Sequence, residues 1–404
     1  MPTQARPLDE AELLHRTALL AQAFRPAAPV DRRGLFSGRG EQIGELFSVA
    51  AQAGQHAVVY GERGVGKTSL AAVVAELLAG SKILTARTNC DASDDFTTVW
   101  RKALGELVVH STAQTVGFAG ETTREIRPAS LLLGTGPVAP HDVVRALETV
   151  THGGELALFV DEFDRLRDAE ARTLFADVVK TLSDRLVRAT VVLVGVADSV
   201  GDLIREHRSV ERALVQVRMP RMSRAELAEI ATRGIAAAQM TIRPAAVDRV
   251  TALSQGLPHY THLLTQLAGQ AALAERRADV DVPDVEAAVE RAIERAAHSV
   301  SEAYYRAAGE IRRRHVLLAC ALADEDEFGF FSPAQVEARV SRVGGRLDAE
   351  ALAGELDALA AGDEAVLQRG GPGGGRYRFA NPLVQPYVVM RGLADGVVKT
   401  RDLR

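Results

Sequence analysis

The sequence predicts an α/β protein with a five-stranded parallel sheet covered by helices on both faces, followed by an all-α lid and a C-terminal winged-helix module. Three observations predict it. Five short, β-branched apolar runs, "HAVVY", "KILTARTN", "LALFVDE", "TVVLVGVAD" and "ALVQVRM", alternate with helical-period segments between residues 35 and 220. Strands that alternate with helices pair in parallel, because each crossover lays a helix on a sheet face. Beyond Pro220 the strands stop and only helical periodicity continues, to residue 296. From 297 onward three helical patterns lead into "AVLQRGGPGGGRYRF", two short strands about a glycine-rich tip, and a closing helix, "PLVQPYVVMRGLA".

Taken in order, residues 1–34 hold one short helical pattern (Leu13, Leu14, Leu19, Leu20) and the connector "RPAAPVDRRG", and read as an N-terminal arm. Residues 35–220 carry the strand and helix alternation. Within them the stretch 110–140 is rich in Gly, Thr and Pro and reads as an insertion whose shape the pattern does not give. Residues 221–296 contain "SRAELAEIATRGIAAA", "RPAAVDRVTALSQG" and "PHYTHLLTQLAGQAALAE", each with a helix start signal or a glycine stop. Residues 297–404 form the winged-helix module.

The chain's 404 residues suit two or three domains at about 150 residues each. With 47% hydrophobic and 25% charged residues, the composition is that of a folded globular protein. A net charge of −5 excludes a protein that is basic all over, so any nucleic-acid contact would have to come from a local patch. Cys90 and Cys320 are too few for a disulfide framework or a metal knuckle, which fits a reducing cytoplasm. The opening "MPTQARPLDEAELLHR" lacks a basic start and an apolar core, and no run of about 18 apolar residues occurs. The expectation is a cytoplasmic protein with no membrane partner.

The stretch "VVYGERGVGKTSL" fits G-x-x-x-x-G-K-[ST] through Gly61, Gly66, Lys67 and Thr68, with a strand before it and a helix after it. Glu62, Arg63, Gly64 and Val65 complete the loop, and Ser69 follows in the helix. The glycines let backbone N–H groups turn inward around phosphates while the next helix points its positive end at them. Lys67 can then reach the β and γ phosphates, and Thr68 can place its hydroxyl on magnesium. "LALFVDEFDRL" ends an apolar strand in Asp161 and Glu162. An aspartate at the carboxyl end of a strand beside the P-loop strand can hold Mg2+, and the adjacent glutamate can orient or deprotonate a water attacking the γ-phosphate of ATP. Asp164 is set aside, because it points elsewhere if Asp161 ends the strand.

These residues resemble the AAA+ ATPases, particularly the initiator-type members related to origin-recognition proteins and the neighbouring STAND signalling ATPases. The resemblance covers about residues 35–404 and implies a P-loop AAA+ core. "LFSGRGEQIGEL" is similar to the family's segment ahead of the first strand, which implies that Gly38 and Arg39 lie near the adenine. "VVLVGVADS" resembles the sensor strand, with Asp198 in the place that contacts the γ-phosphate or the attacking water. "REHRSVERALVQV" resembles the segment that carries the arginine finger, with Arg212 first and Arg208 second. "SQGLPHYTHLL" resembles the lid helix of the second sensor, but His259 stands where the family has an arginine.

Three functional classes compete: an ATPase switch that assembles with itself or with a partner protein, a DNA-bound initiator or transposition-type loader, and a nucleotide-binding scaffold. The set Lys67, Asp161 and Glu162 argues against the scaffold. Residues 297–404 hold 14 Lys and Arg against 15 Asp and Glu, a net of −1, and "LDAEALAGELDALAAGDE" has no basic residue, so it is a poor major-groove reader. Arg369, Arg376 and Arg378 flank the wing tip, and Arg312, Arg313 and Arg314 precede them. Contact with DNA phosphates through the wing is therefore the alternative to a homo-oligomeric switch.

Overall fold

The computed structural model describes residues 6–26, 38–114, 122–197, 210, 212–326, 328–371 and 374–399. The chain divides into two compact units: Arg39–Gly61 with Lys67–Met219, and Met1–Gly38 with Glu62–Gly66 and Pro220–Arg404.

The first unit contains strands β1 (His56–Gly61), β2 (Leu84–Asn89), β3 (Val108–Gln114), β4 (Thr122–Pro128), β5 (Leu156–Asp161), β6 (Ala189–Val196) and β7 (Leu214–Arg218). Five of them form one sheet in the order β2-β5-β6-β1-β7, every pair parallel. All five apolar runs of the sequence are its strands. β5 is buried along its whole length, as a strand covered on both faces must be. Against the sheet Trp100 stacks on Phe175 at 5.1 Å, and Phe96 and Phe163 meet Phe175 edge-on. His56 starts β1 fully buried, and its Nδ1 accepts the Val191 N–H at 3.0 Å. The stretch 110–140 contains an antiparallel hairpin, β3 with β4, followed by a 3-10 turn over Ala129–Leu133.

The second unit is helical around residues 224–294: Arg224–Ala237, Pro244–Ser254, Pro258–Ala274 and Val282–Glu294. It is not wholly α, because β8 (Thr241–Ile242) and β9 (Asp279–Val280) pair in parallel for two residues each. A strand of two residues carries no period-2 signal, so the sequence pattern could not show it. The N-terminal segment is no free arm. Its helix Glu10–Ala23, closed by an Asp9/Glu12 capping box, buries Leu20 and Ala23, and Phe24 follows buried at 1% exposure. A Cβ at Gly234 would lie 2.2 Å from the Phe24 ring, and one at Gly269 would lie 2.9 Å from Leu20, so both glycines mark where this segment seats on lid helices. Gln266 Nε2 donates to Phe24 O at 3.0 Å.

The C-terminal part has four helices before its hairpin, where the pattern showed three: His298–Ala308, Ile311–Ala321, Pro333–Val340 and Ala349–Leu359. β10 (Leu367–Gly370) and β11 (Arg376–Phe379) pair antiparallel, and the helix Val384–Ala394 follows. Among the described residues no helix is long and apolar enough to cross a membrane, and both cysteines are free and buried.

Candidate functional site

β1 ends in the glycine-rich loop, and the helix Lys67–Gly80 begins directly after it. Gly61, Gly64 and Gly66 have φ of 148°, 91° and 96°, a region that a side chain disfavours and that turns successive N–H groups to one side. Gly61 has a second constraint, since a Cβ there would sit 2.4 Å from Met219 O. Lys67 is 8% exposed and its Nζ donates to Gly61 O at 3.0 Å, so the lysine lies across the loop it closes.

Asp161 lies at the carboxyl end of β5, buried to 5% exposure. Sequence reasoning placed its strand beside the P-loop strand. The sheet inserts β6 between them, and the Thr68 hydroxyl is nonetheless near enough to favour the charged form of Asp161. Its Oδ1 accepts the Glu162 N–H at 2.8 Å, while Oδ2 has no hydrogen-bond partner among the described residues. Burial pushes its carboxyl up from the ordinary range, against the hydrogen bonds from Glu162 and Thr68 and the charge of Arg87. A buried carboxylate oxygen with no donor is costly, and a cation is the group that satisfies it. The Thr68 hydroxyl and this oxygen fit a magnesium ion bound with phosphates, because that ion is held by one or two protein ligands and by the phosphates. No cluster of three or more His, Cys, Asp or Glu side chains suited to a metal occurs among the described residues.

Glu162 adopts the left-handed conformation, φ 53°, which turns the chain sharply after β5. Its side chain is half exposed and pairs with Arg165 at 2.7 Å. Asp164, set aside on the sequence, has a structural role: its Oδ1 accepts the N–H of Val196, the last residue of β6, at 2.8 Å. It thereby ties the turn after Asp161 to the end of the neighbouring strand. The D-x-x-D spacing was the available signal.

The remaining sequence candidates are scattered. Asp198 and Arg208 lie outside the described residues. Arg212 is exposed immediately before β7, which is the sheet edge next to β1. Arg39 is 4% exposed with φ 61° ahead of the helix Gly40–Ala50, and Gly38 packs against Glu226. His259 has its Nδ1 at 2.8 Å from Pro26 O, so the proton sits on that nitrogen. Burial holds it below its ordinary value, with a further push from Arg63 against the pull of the Pro26 bond, and the imidazole is neutral at neutral pH.

The arginines of the β10–β11 hairpin have partners within the protein. Arg369 pairs with Asp357 and with the Tyr377 hydroxyl, Arg376 pairs with Asp326 at 2.6 Å, and Arg378 lies 4.7 Å over the Phe330 ring and bonds to Gln368. Arg312 and Arg313 both bind Glu355.

The model of a family described as novel STAND NTPase 1 matches residues 23–343. No curated protein sequence matches the chain. Among solved structures the chain is similar to a Walker-type ATPase of Pyrococcus abyssi, 15% identical with a TM-score of 0.53, covering 90% of this chain and 98% of that one. It is also similar to the Aeropyrum pernix ORC1 protein in complex with DNA (18% identity, TM-score 0.45, 94% and 97% covered). A third is the Thermotoga maritima RuvB Holliday junction branch migration motor (17%, 0.45, 85% and 93%). The Pyrococcus likeness is one of fold.

Proposed function

The chain belongs to the novel STAND NTPase 1 family, and from that premise we propose that it is an ATP-hydrolysing switch whose subunits assemble when ATP is bound. The observation that carries the reading is the buried Asp161 at the carboxyl end of β5, one of whose oxygens lacks a donor among the described residues. The loop N–H groups and Lys67 bind the phosphates, Thr68 and Asp161 would hold magnesium, and Glu162 orients or deprotonates the attacking water after leaving Arg165. Magnesium, when bound, neutralises charge on the phosphate oxygens. By the resemblance to AAA+ ATPases, Gly38 and Arg39 would serve the base and Asp198 the γ-phosphate.

Arg212 supports assembly by its position. It precedes the edge strand beside β1 and is exposed, so a neighbouring subunit's nucleotide is its natural target. An arginine supplied in trans is worth about a thousandfold in rate. ATPase activity per subunit should rise with protein concentration, and mixing Arg212→Ala with Lys67→Ala should restore part of the activity each lacks. Flat specific activity and an inactive mixture would sink the assembly mechanism. The alternative, a loader that grips DNA through Arg369, Arg376 and Arg378, is disfavoured by the internal partners of all three.

A further inference from the structure

Within the second unit a single guanidinium joins four segments of the chain. Arg221, just after β7, is 11% exposed at its side chain; its Nε donates to Glu62 of the glycine loop at 2.8 Å and its Nη1 to Glu325 at 2.5 Å. Nη1 also donates to Gln385 Oε1 at 2.7 Å and to Gln255 O at 3.3 Å. Gln385 in turn gives its amide N–H groups to Glu325 and to Ala321 O. The packing leaves no slack: a Cβ at Gly329 would lie 2.3 Å from Glu62 Oε1 and 3.0 Å from Arg221 Nη2.

We propose that Arg221 and Glu325 are positioning residues for nucleotide binding, Arg221 holding the phosphate loop through Glu62 and Glu325 competing for the same guanidinium whenever it is ionised. The inference rests on the reading of that loop as an ATP site. Two carboxylates sharing one buried guanidinium crowd like charge together, and the charge of an ionised Glu325 repels both Glu62 and a polyphosphate arriving at the loop. A proton on Glu325 removes that charge and leaves Arg221 wholly to Glu62. The titratable and charged groups facing Glu325 are Arg221, Glu62 and Asp326, the last tied to Arg376. Burial, reinforced by Glu62 and opposed by Arg221, pushes Glu325 up to about 7, so the exchange falls in the physiological range. Linkage sets the sign: if ionised Glu325 weakens nucleotide binding, nucleotide binding draws a proton onto Glu325.

The test is titration calorimetry of the full chain with magnesium-saturated ATP at pH 6, 7 and 8, in two buffers of different ionisation enthalpy. The unmutated protein should bind about fivefold or more weakly at pH 8 than at pH 6 and should take up protons near pH 7. Glu325→Gln, an isosteric change, should bind tightly at all three pH values without that uptake. Arg221→Lys should bind weakly throughout, because one ammonium cannot replace a fork that spans both carboxylates. Proton uptake and pH profile identical in Glu325→Gln and the unmutated protein would overturn the proposal, as would unaltered affinity in Arg221→Lys. Lys67→Ala separates the two layers of argument. If the unmutated chain binds ATP no better than Lys67→Ala, the nucleotide reading itself fails; if Lys67→Ala alone loses binding and Glu325→Gln changes nothing, only this inference falls.

Discussion

The carboxyl end of β5 and the C-terminal hairpin are both crowded with charge, and the protein settles them in opposite ways. At the hairpin each wing arginine is matched inside the fold: Arg369 by Asp357, Arg376 by Asp326, Arg378 by Gln368 and the Phe330 ring. At β5 Asp161 is more deeply buried than any of them, yet one of its oxygens has no donor among the described residues. A buried polar atom without a partner costs about 1–3 kcal/mol, more if charged, so a fold tolerates it where a ligand supplies the missing contact. Arginines on a surface look like a phosphate footprint in a sequence. Their partners decide whether they are one.

The sharpest way to test that contrast is at the loop. Lys67→Ala should weaken ATP binding by about a hundredfold or more, because the loop's own side-chain cation is lost; fluorescent-nucleotide titration measures it. Next in size, Glu162→Gln should keep ATP affinity within about twofold while slowing single-turnover hydrolysis by about a hundredfold. Equal loss of affinity and rate would move the magnesium role from Asp161 to Glu162.

The two units also differ in how they respond to pH. Burial pushes His56 down to about 4, from an ordinary 6.5, so its contribution to the α/β unit is full above pH 6.5 and lost as pH falls toward 4. Glu325, raised from 4.5 to about 7, acts the other way: its contribution is full below 4.5 and fades as pH rises through 7. Each is worth at most about 3 kcal/mol. Urea melts at pH 5 and 8 should therefore separate the two groups: His56→Gln should narrow the acid loss, and Glu325→Gln the alkaline loss. The smallest effect is expected at the wing. Reversing Arg369 and Arg378 to glutamate should change ATPase rate by less than about twofold, with or without duplex DNA at low salt. A salt-sensitive DNA affinity that these changes erase would reverse the comparison.

How much of this was legible differs with the range of the interaction. The five strands, the glycine loop and Asp161 announced themselves because each is a local pattern: an apolar run, a motif, a strand ending in a carboxylate. The insertion of β6 between β1 and β5 was not legible, since strand order is a property of crossovers and not of any one strand. The hairpin of β3 and β4 was missed because its Thr- and Gly-rich composition masks a period of two. Arg221, Glu62, Glu325 and Gln385 are brought together from positions as far apart as 62 and 385, and, apart from Glu62 with its place in the glycine loop, nothing in their immediate neighbours marks them. The wing arginines show the reverse error, in which a local pattern was plain and its long-range partners were not.

The seating of Phe24 against Gly234 also sets an order of events during synthesis. The helix Glu10–Ala23 is made before the sheet, but the surfaces that cover Leu20 and Phe24 belong to helices ending at Ala237 and Ala274, and its closing hydrogen bond spans 242 residues. At about 5–20 residues per second the segment waits at least ten seconds with its apolar face uncovered, while the sheet-forming strands emerge behind it. An element made ahead of the whole sheet is thus docked only after it. A chain cut off before residue 274 would display that greasy face to whatever chaperone or protease met it.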